Sequence, residues 1–210
     1  MLLSGGIDSA TCLFLAKGPR TRAITFEYGG IAEREVRAAK DIAKAAGVSE
    51  HRLVRLPDLK EAGEIGTPVF EGLPPTYIPV RNAIFYSLAG GYAEEVGAGT
   101  VVGGHNRDDL RVFKDASPRF FLALQRALRE GSRVLEMNHL KISRPLKSMS
   151  KRRVIRLAAT LGVPLELTWS CHRDGEEHCW SCPGCESRRA SFLGAGIPDP
   201  LMPRPLGKIS

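Results

Sequence analysis

The sequence lacks the features of a membrane or secreted protein. None of its apolar runs approaches the roughly 20 residues that a membrane-spanning helix needs. Met1-Leu2-Leu3 runs directly into Ser4-Gly5-Gly6, so no secretion signal is visible. With 43% hydrophobic and 25% charged residues, the 210-residue chain has the composition of a globular protein. We therefore expect a cytoplasmic location and no membrane partner.

The sequence also lacks a basic run interleaved with aromatic side chains, which make up only 7% of the chain. The 30 basic residues exceed the 23 acidic ones, and their only short cluster is Lys151-Arg152-Arg153. A net charge of +7 fits either a solvated surface or a groove for polyanions such as ATP or tRNA. We therefore expect no stable nucleic-acid partner.

Cysteine is scarce outside one segment. Cys12 stands alone in an apolar stretch and is predicted to be a small core residue. The other four follow the spacing C-x7-C-x2-C-x2-C: Cys171, Cys179, Cys182 and Cys185. Four thiolates complete a tetrahedral zinc shell without an open position, which predicts a structural zinc site. An iron–sulfur cluster is the alternative, and the neighbouring His172 or His178 could replace one ligand.

Short apolar strands alternate with longer helical stretches, which predicts an α/β fold with a doubly wound parallel sheet. Strands are predicted at 1–3, 21–28, 51–56, 100–102 and 140–142. Helices are predicted at 9–17, 32–46, 81–96, 118–129, 150–161 and 187–193, with Ser150 as a cap. The Gly- and Pro-rich residues 58–79 are predicted to form a long surface loop or lid. We expect one domain at 1–165 and a zinc-binding segment at 166–210 packed on it.

The turn Ser4-Gly5-Gly6-Ile7-Asp8-Ser9 follows the first strand and precedes a helix, where doubly wound folds bind phosphate. Its glycines permit close backbone approach to an anion, and its serines add hydroxyl donors. Asp8 would repel a bare phosphate, so we expect Mg²⁺ between the carboxylate and the phosphate. No Gly-Lys-Ser/Thr follows, which excludes the Walker motif. A Gly turn capped by a serine helix start is the simpler alternative.

This turn resembles the SGGxDS signature of PP-loop ATP pyrophosphatases, which cleave ATP between the α and β phosphates. Nearly the whole chain resembles the 7-cyano-7-deazaguanine synthase family. The resemblance rests on these segments: residues 4–9, Tyr28-Gly29 with Glu35, residues 78–82, Arg144-Pro145-Leu146 with Lys151, residues 168–171, the last three cysteines, Arg188, Phe192, Ala195-Gly196 and Asp199-Pro200. It implies these catalytic residues: Ser4, Asp8, Ser9 and Lys151. It implies nucleotide contacts at Leu3, Ser4, Gly5, Gly6, Ile7, Asp8, Ser9, Ala10, Thr11 and Phe26.

The resemblance implies a reaction in which ATP adenylates the carboxylate of 7-carboxy-7-deazaguanine and ammonia then forms the amide. A second adenylation activates the amide oxygen, and loss of AMP leaves a nitrile. This chemistry is reasonable because a carboxylate is a poor electrophile and an acyl adenylate supplies a good leaving group. The implied cofactors and partners are structural zinc, ATP with Mg²⁺, the small-molecule substrate, ammonia and a second copy of the chain in a homodimer.

The acceptor is predicted to bind Arg81, Asn82, Asn106, Asp109 and Asp115. The first two open a helix after the Pro-rich segment, and the others follow the fourth strand on the neighbouring edge of the same crevice. A guanine-like ring presents N–H donors, for which carboxylate and amide oxygens are the natural acceptors. Asp108 is expected to be an exposed loop acid.

The chain departs from the family pattern at three places. Gly30-Ile31-Ala32 stands where Gln-Arg-His is usual, Val80 replaces a glycine, and Leu110–Ser117 differs at several positions. These departures leave open a related amidoligase with another acceptor, either a different deazapurine or a protein terminus. A tRNA-modifying PP-loop enzyme is disfavoured, because Cys12 is poorly placed as its catalytic cysteine. A non-enzymatic zinc module that holds nucleotide is the remaining alternative.

Overall fold

The computed structural model describes residues 1–29, 31–59, 77–109 and 113–203. The strands in these ranges are β1 (Arg22–Tyr28), β2 (Glu50–Leu56), β3 (Thr100–Val102) and β4 (Lys141–Ser143). The helices are α1 (Ile7–Ala16), α2 (Glu33–Ala46), α3 (Arg81–Glu95), α4 (Pro118–Gly131), α5 (Arg133–Met137), α6 (Lys151–Thr160) and α7 (Pro183–Ala195). Short 3₁₀ turns cover Lys114–Ala116 and Leu165–Leu167.

The strands are ordered with the start of the chain at the centre. β1 pairs in parallel with β2, and β3 pairs in parallel with β4. Residues 1–3 join the two pairs: Leu2 N–H donates to Val102 O at 2.9 Å, and Leu3 N–H donates to Ile24 O at 2.9 Å. The spatial order is therefore β2, β1, residues 1–3, β3 and β4, which is that of a doubly wound fold and confirms the predicted class.

Two apolar clusters cover the two faces of this sheet. Leu3 belongs to the cluster formed with α1, α2, α6 and α7, whereas Leu2 packs against the cluster formed with α3, α4 and α5. Neighbouring residues of an extended chain point to opposite faces, so the clusters lie on opposite sides. Cys12 is fully buried in the first cluster, as predicted. Within the described part of the chain, no helix combines the length and apolar character needed to cross a membrane.

Several predicted boundaries need correction. The strand predicted at residues 1–3 is reduced to a single bridge between Leu2 and Ile24. Helix α7 begins at Pro183 rather than at residue 187, because proline at the first helical position gives up no hydrogen bond. Pro183-Gly184 is thus helical, and Cys185 lies in the first turn. The predicted loop at 58–79 falls mostly on residues outside the described ranges, so its role as a lid stays a prediction.

Two helix starts also differ from expectation. Helix α5 is not predicted by any pattern, and it begins where the Ser132 hydroxyl accepts a hydrogen bond from Leu135 N–H at 3.2 Å. Ser150 precedes α6 as predicted, but its side chain makes no capping hydrogen bond. Instead, the side chain of Asp108 accepts a hydrogen bond from Lys151 N–H at the start of α6.

Candidate functional site

A cavity of about 380 Å³ opens where the central strands end. The Gly-rich turn, the last residues of β1, the segment after β3, the first residues of α3 and α6 and part of the cysteine segment line it. Parallel strands of a doubly wound sheet present their carboxyl ends at one edge, where such folds bind ligands. The cavity therefore lies at the edge predicted from the sequence.

Close backbone packing shapes the Gly-rich turn. Gly5 has φ of 84°, and a Cβ atom there would lie 2.4 Å from the backbone oxygen of Glu35. Gly104 packs in the same way, since a Cβ atom would lie 2.7 Å from Ser9 N. The Ser9 hydroxyl accepts from Ser4 N–H at 3.1 Å and donates to Gly6 O at 2.9 Å. These contacts hold the first turn of α1 against the cavity.

The predicted nucleotide contacts separate into two groups. Seven of them line the cavity: Leu3, Ser4, Gly6, Ile7, Asp8, Ser9 and Phe26. Phe26 also stacks on Phe85, with ring centroids 4.3 Å apart. Three do not line it: Gly5, Ala10 and Thr11. The Thr11 side chain is buried and donates to Ile7 O at 2.7 Å, so its visible role is inside α1.

Asp8 and Lys151 form an ion pair at the cavity. Asn106 Nδ2 also donates to Asp8 Oδ2 at 3.4 Å, whereas the buried Asp8 Oδ1 has no partner among the described residues. Burial lowers the pKa of Lys151, but the charges of Asp8, Asp109 and Asp108 raise it, and the net shift of the pKa is upward. Lys151 is therefore an ammonium group beside the predicted phosphate site.

The predicted acceptor residues lie in two places. Arg81 and Asn82 line the cavity, whereas Asn106, Asp109 and Asp115 are not part of its described lining. Asp115 Oδ2 accepts from Asn82 N–H at 3.1 Å, so Asp115 caps the N-terminus of α3. Asp109 accepts from Asn106 N–H at 2.9 Å, and burial, together with the charge of Asp8, raises the pKa of Asp109. Direct contact of these three with an acceptor stays a prediction.

Helices α2 and α6 are capped by distant acids as well. Asp174, from the cysteine segment, accepts from Arg34 N–H at 3.0 Å, and Asp108 accepts from Lys151 N–H at 3.3 Å. Asp108, whose side chain is 44% exposed, is therefore also a helix cap, a role that the sequence did not suggest. The residues directly before α2, α3 and α6 make no capping hydrogen bond with their own side chains. These residues are Ala32, Val80 and Ser150. Negative charge near a helix N-terminus is also favoured by the helix dipole.

The four sulfur atoms of the cysteine segment lie within 4.8 Å of one another. Two of the sulfur–sulfur distances are 3.9 Å, between Cys179 and Cys185 and between Cys171 and Cys182. A tetrahedral site with zinc–sulfur bonds of about 2.3 Å has edges of about 3.8 Å between sulfur atoms. The residues therefore fit a closed, four-thiolate metal site.

Hydrogen bonds from nearby groups favour the thiolates of Cys179 and Cys182, whereas burial raises the pKa of Cys171 and of Cys185. His172 N–H donates to Cys182 Sγ at 3.5 Å. The backbone N–H and hydroxyl of Ser181 lower the pKa of Cys179 to about 5. His178 is not in the ligand group; its Nε2 accepts from Ser170 N–H at 3.1 Å, and burial lowers its pKa to about 4, which keeps the ring neutral.

The segment before the cysteines connects the metal site to the Gly-rich turn. Trp169 N–H donates to Gly5 O at 3.0 Å, and Trp169 lines the cavity. Arg188, fully buried in α7, donates to both carboxylate oxygens of Asp199 and to the Thr168 hydroxyl. The contacts of Trp169 and Arg188 thus hold this wall of the cavity in place.

Several polar residues that line the described cavity were not predicted as site residues, among them His105 and Glu35. The His105 ring contacts the rings of Tyr86 and Phe121, and burial, with the charges of nearby arginines, lowers the pKa of His105 to about 4. Glu35 lines the cavity from α2, and burial raises its pKa to about 7 although Arg81 opposes this shift. The signal for His105 was available, because it directly follows the glycines that end β3.

The chain is similar to the members of a known protein family. The chain matches the family model described as Queuosine biosynthesis protein QueC over residues 1–196. It is 37% identical over 215 residues to the 7-cyano-7-deazaguanine synthase of Thermoplasma acidophilum, covering 96% of this chain and 90% of that protein. It is 40% identical over 219 residues to the corresponding synthase of Trichodesmium erythraeum, covering 96% and 98%.

Similar folds are found among solved structures. The NMN synthetase from Francisella tularensis superimposes with a TM-score of 0.52 and 18% identity, covering 94% of this chain and 76% of that chain. At this level of identity the similarity concerns the fold alone.

Proposed function

The chain belongs to the QueC family of queuosine biosynthesis proteins, and from this premise we propose that it is a 7-cyano-7-deazaguanine synthase. Its proposed substrates are 7-carboxy-7-deazaguanine, ammonia and ATP. The observation that carries the proposal is the placement of the Gly-rich turn, Lys151 and Arg81 around one cavity at the carboxyl end of the sheet. The curated relatives do not favour the alternative of an amidoligase with a different acceptor.

The turn and Lys151 are proposed to bind the phosphates of ATP. Free N–H groups at the start of α1 and the Lys151 ammonium attract an anion, and the serine hydroxyls Ser4 and Ser9 add donors. The unpartnered Asp8 Oδ1 fits a Mg²⁺ ligand, and that ion would supply further neutralisation of phosphate charge. Cleavage between the α and β phosphates would release AMP and pyrophosphate.

The proposed reaction has two activation steps. The substrate carboxylate attacks the α-phosphorus and expels pyrophosphate; ammonia then attacks the acyl carbon, and AMP and a proton leave with formation of the amide. The amide oxygen attacks the α-phosphorus of a second ATP and expels pyrophosphate; loss of AMP with the remaining nitrogen-bound protons then gives the nitrile. The protein supports these steps by placing the reactants and by stabilising charge with Lys151 and Arg81.

We also propose that the metal at the four cysteines is zinc with a structural role, because the closed thiolate shell has no position for a reacting ligand. The homodimer, the cytoplasmic location and the boundary between residues 165 and 166 remain proposals that rest on the family resemblance and the sequence pattern.

The proposal is tested by the nucleotide products. Purified protein with ATP, ammonium and 7-carboxy-7-deazaguanine should release AMP and pyrophosphate. Asp8→Ala should abolish this release, because both the pairing of Lys151 and the expected cation ligand are lost. Glu136→Ala, at an exposed position on α5, is the matched control and should leave it unchanged. Release of ADP and phosphate by the wild-type protein would overturn the assignment.

A further inference from the structure

Glu35 presents a carboxylate to the cavity, without a partner among the residues that the structure describes. It lies in the first turn of α2, which packs directly on the Gly-rich turn at Gly5. The Glu35 side chain makes no hydrogen bond or ion pair within 4 Å to any residue that the structure describes, although Arg81 contributes a favourable charge. Its two oxygens therefore retain their capacity to accept hydrogen bonds from a ligand.

The other acids near the cavity are already engaged. Within the described lining, the carboxylates are those of Asp8 and Glu35. Asp8 Oδ2 is paired with Lys151 beside the anion-binding turn. Asp109 and Asp115, which the sequence suggested as acceptors for ring N–H groups, each accept a hydrogen bond from a backbone N–H group and are not part of the described cavity lining. Among the described lining residues, this leaves Glu35 as the carboxylate available to a neutral donor.

The surroundings of Glu35 suit a flat heterocycle. Aromatic side chains of Tyr28, Phe85 and Trp169 line the same cavity, and Arg81 supplies positive charge for an acidic substituent. A guanine-like ring carries a ring N–H and an exocyclic amino group side by side, and these two donors match the two oxygens of one carboxylate. Hydrogen bonds to a charged acceptor change affinity by about 10- to 100-fold each.

We propose that Glu35 is the specificity residue that accepts the ring N–H and the exocyclic amino group of 7-carboxy-7-deazaguanine. This inference rests on the proposed function, because it takes the acceptor ring from it. Helix α2 then recognises the ring, and the Gly-rich turn and Lys151 bind the ATP that activates the substrate carboxylate.

The test compares two substrates across variants. The substrates are 7-carboxy-7-deazaguanine and its analogue without the exocyclic amino group, and the measured quantity is kcat/KM for each. The wild-type protein should prefer the amino-bearing acid by about 10- to 100-fold. Glu35→Gln should bring this preference to within about threefold, since an amide group has only one acceptor oxygen. Its KM for ATP should change less than about twofold.

Glu33→Gln is the matched control, because Glu33 is an exposed acid in the same helical turn. It should retain the wild-type preference, and thermal unfolding with zinc analysis should show that each variant is folded. A Glu35→Gln protein that keeps the wild-type preference, or that loses activity equally on both substrates, overturns the role of Glu35 alone. A wild-type protein that converts neither acid overturns the proposed function and the inference together.

Discussion

Replacing Asp199 with alanine should destabilise the protein strongly, because it leaves a buried charge without its partner. The Arg188 and Asp199 side chains are 0% and 2% exposed. Arg188 Nε and Nη2 donate to the two Asp199 oxygens at 2.7 and 2.8 Å. Arginine stays protonated in proteins, so Arg188 cannot neutralise itself when the carboxylate is removed.

The magnitude follows from burial rather than from distance. Breaking a buried ion pair by removing one partner costs about 3–5 kcal/mol. Arg126 and Glu130 are joined at a similar 2.8 Å, but their side chains are 80% and 66% exposed, so solvent screens the pair and its loss should change stability little. In a domain of this size, each kcal/mol of lost stability lowers Tm by about 2–4 °C. Asp199→Ala should therefore lower Tm by about 6–20 °C and Glu130→Ala by less than about 2 °C.

The assay is thermal and urea unfolding of wild type, Asp199→Ala and Glu130→Ala, with zinc content confirmed to be equal. The double variant Arg188→Met/Asp199→Leu removes both charges and should recover most of the lost stability. An Asp199→Ala protein within about 1 kcal/mol of wild type would refute the reasoning. Equal losses in the single and double variants would show that packing, not the stranded charge, sets the effect.

Three further changes have defined outcomes. Cys182→Ser should remove about one zinc per chain and lower stability before it affects chemistry, whereas iron–sulfur absorbance in the wild-type protein would contradict the zinc assignment. Asp174→Ala should cost about 1 kcal/mol in urea unfolding by removing the cap of α2, and an equal loss in the exposed neighbour Glu176→Ala would contradict this. Burial raises the pKa of Glu35 from 4.5 to about 7, so the folded state binds a proton that the unfolded state releases between these values. The stability of wild type relative to Glu35→Gln should therefore fall as the pH rises from about 4.5 to about 7, and a pH-independent difference would contradict the shift.

The parallel α/β class and the place of the Gly-rich turn were predictable because they depend on local patterns. Alternating strands and helices indicate parallel pairing, and a turn between the first strand and the first helix must lie at the carboxyl edge of the sheet. The four-cysteine site was predictable for the same reason, since its ligands lie within one short segment. The start of α7 was missed although Pro183 is a recognised signal for a helix start.

The roles of the acids were not predictable, because their partners are distant in sequence. Asp108, Asp115 and Asp174 cap helices whose bonded N–H groups are 43, 33 and 140 residues away. Sequence spacing carries no information about such contacts. In the sequence, Glu35 contributes to the family resemblance but has no predicted role in the site. The packing of the first turn of α2 on Gly5 places Glu35 at the cavity.

The central claim is that one cavity couples ATP cleavage to nitrile formation. The most direct measurement is mass spectrometry of the product formed from 7-carboxy-7-deazaguanine, ATP and ¹⁵N-labelled ammonium, with AMP counted in the same reaction. We predict 7-cyano-7-deazaguanine that carries the label, with two AMP and two pyrophosphate released for each nitrile. A reaction that ends at the amide with one AMP, or a labelled product on another acceptor only, would contradict the account.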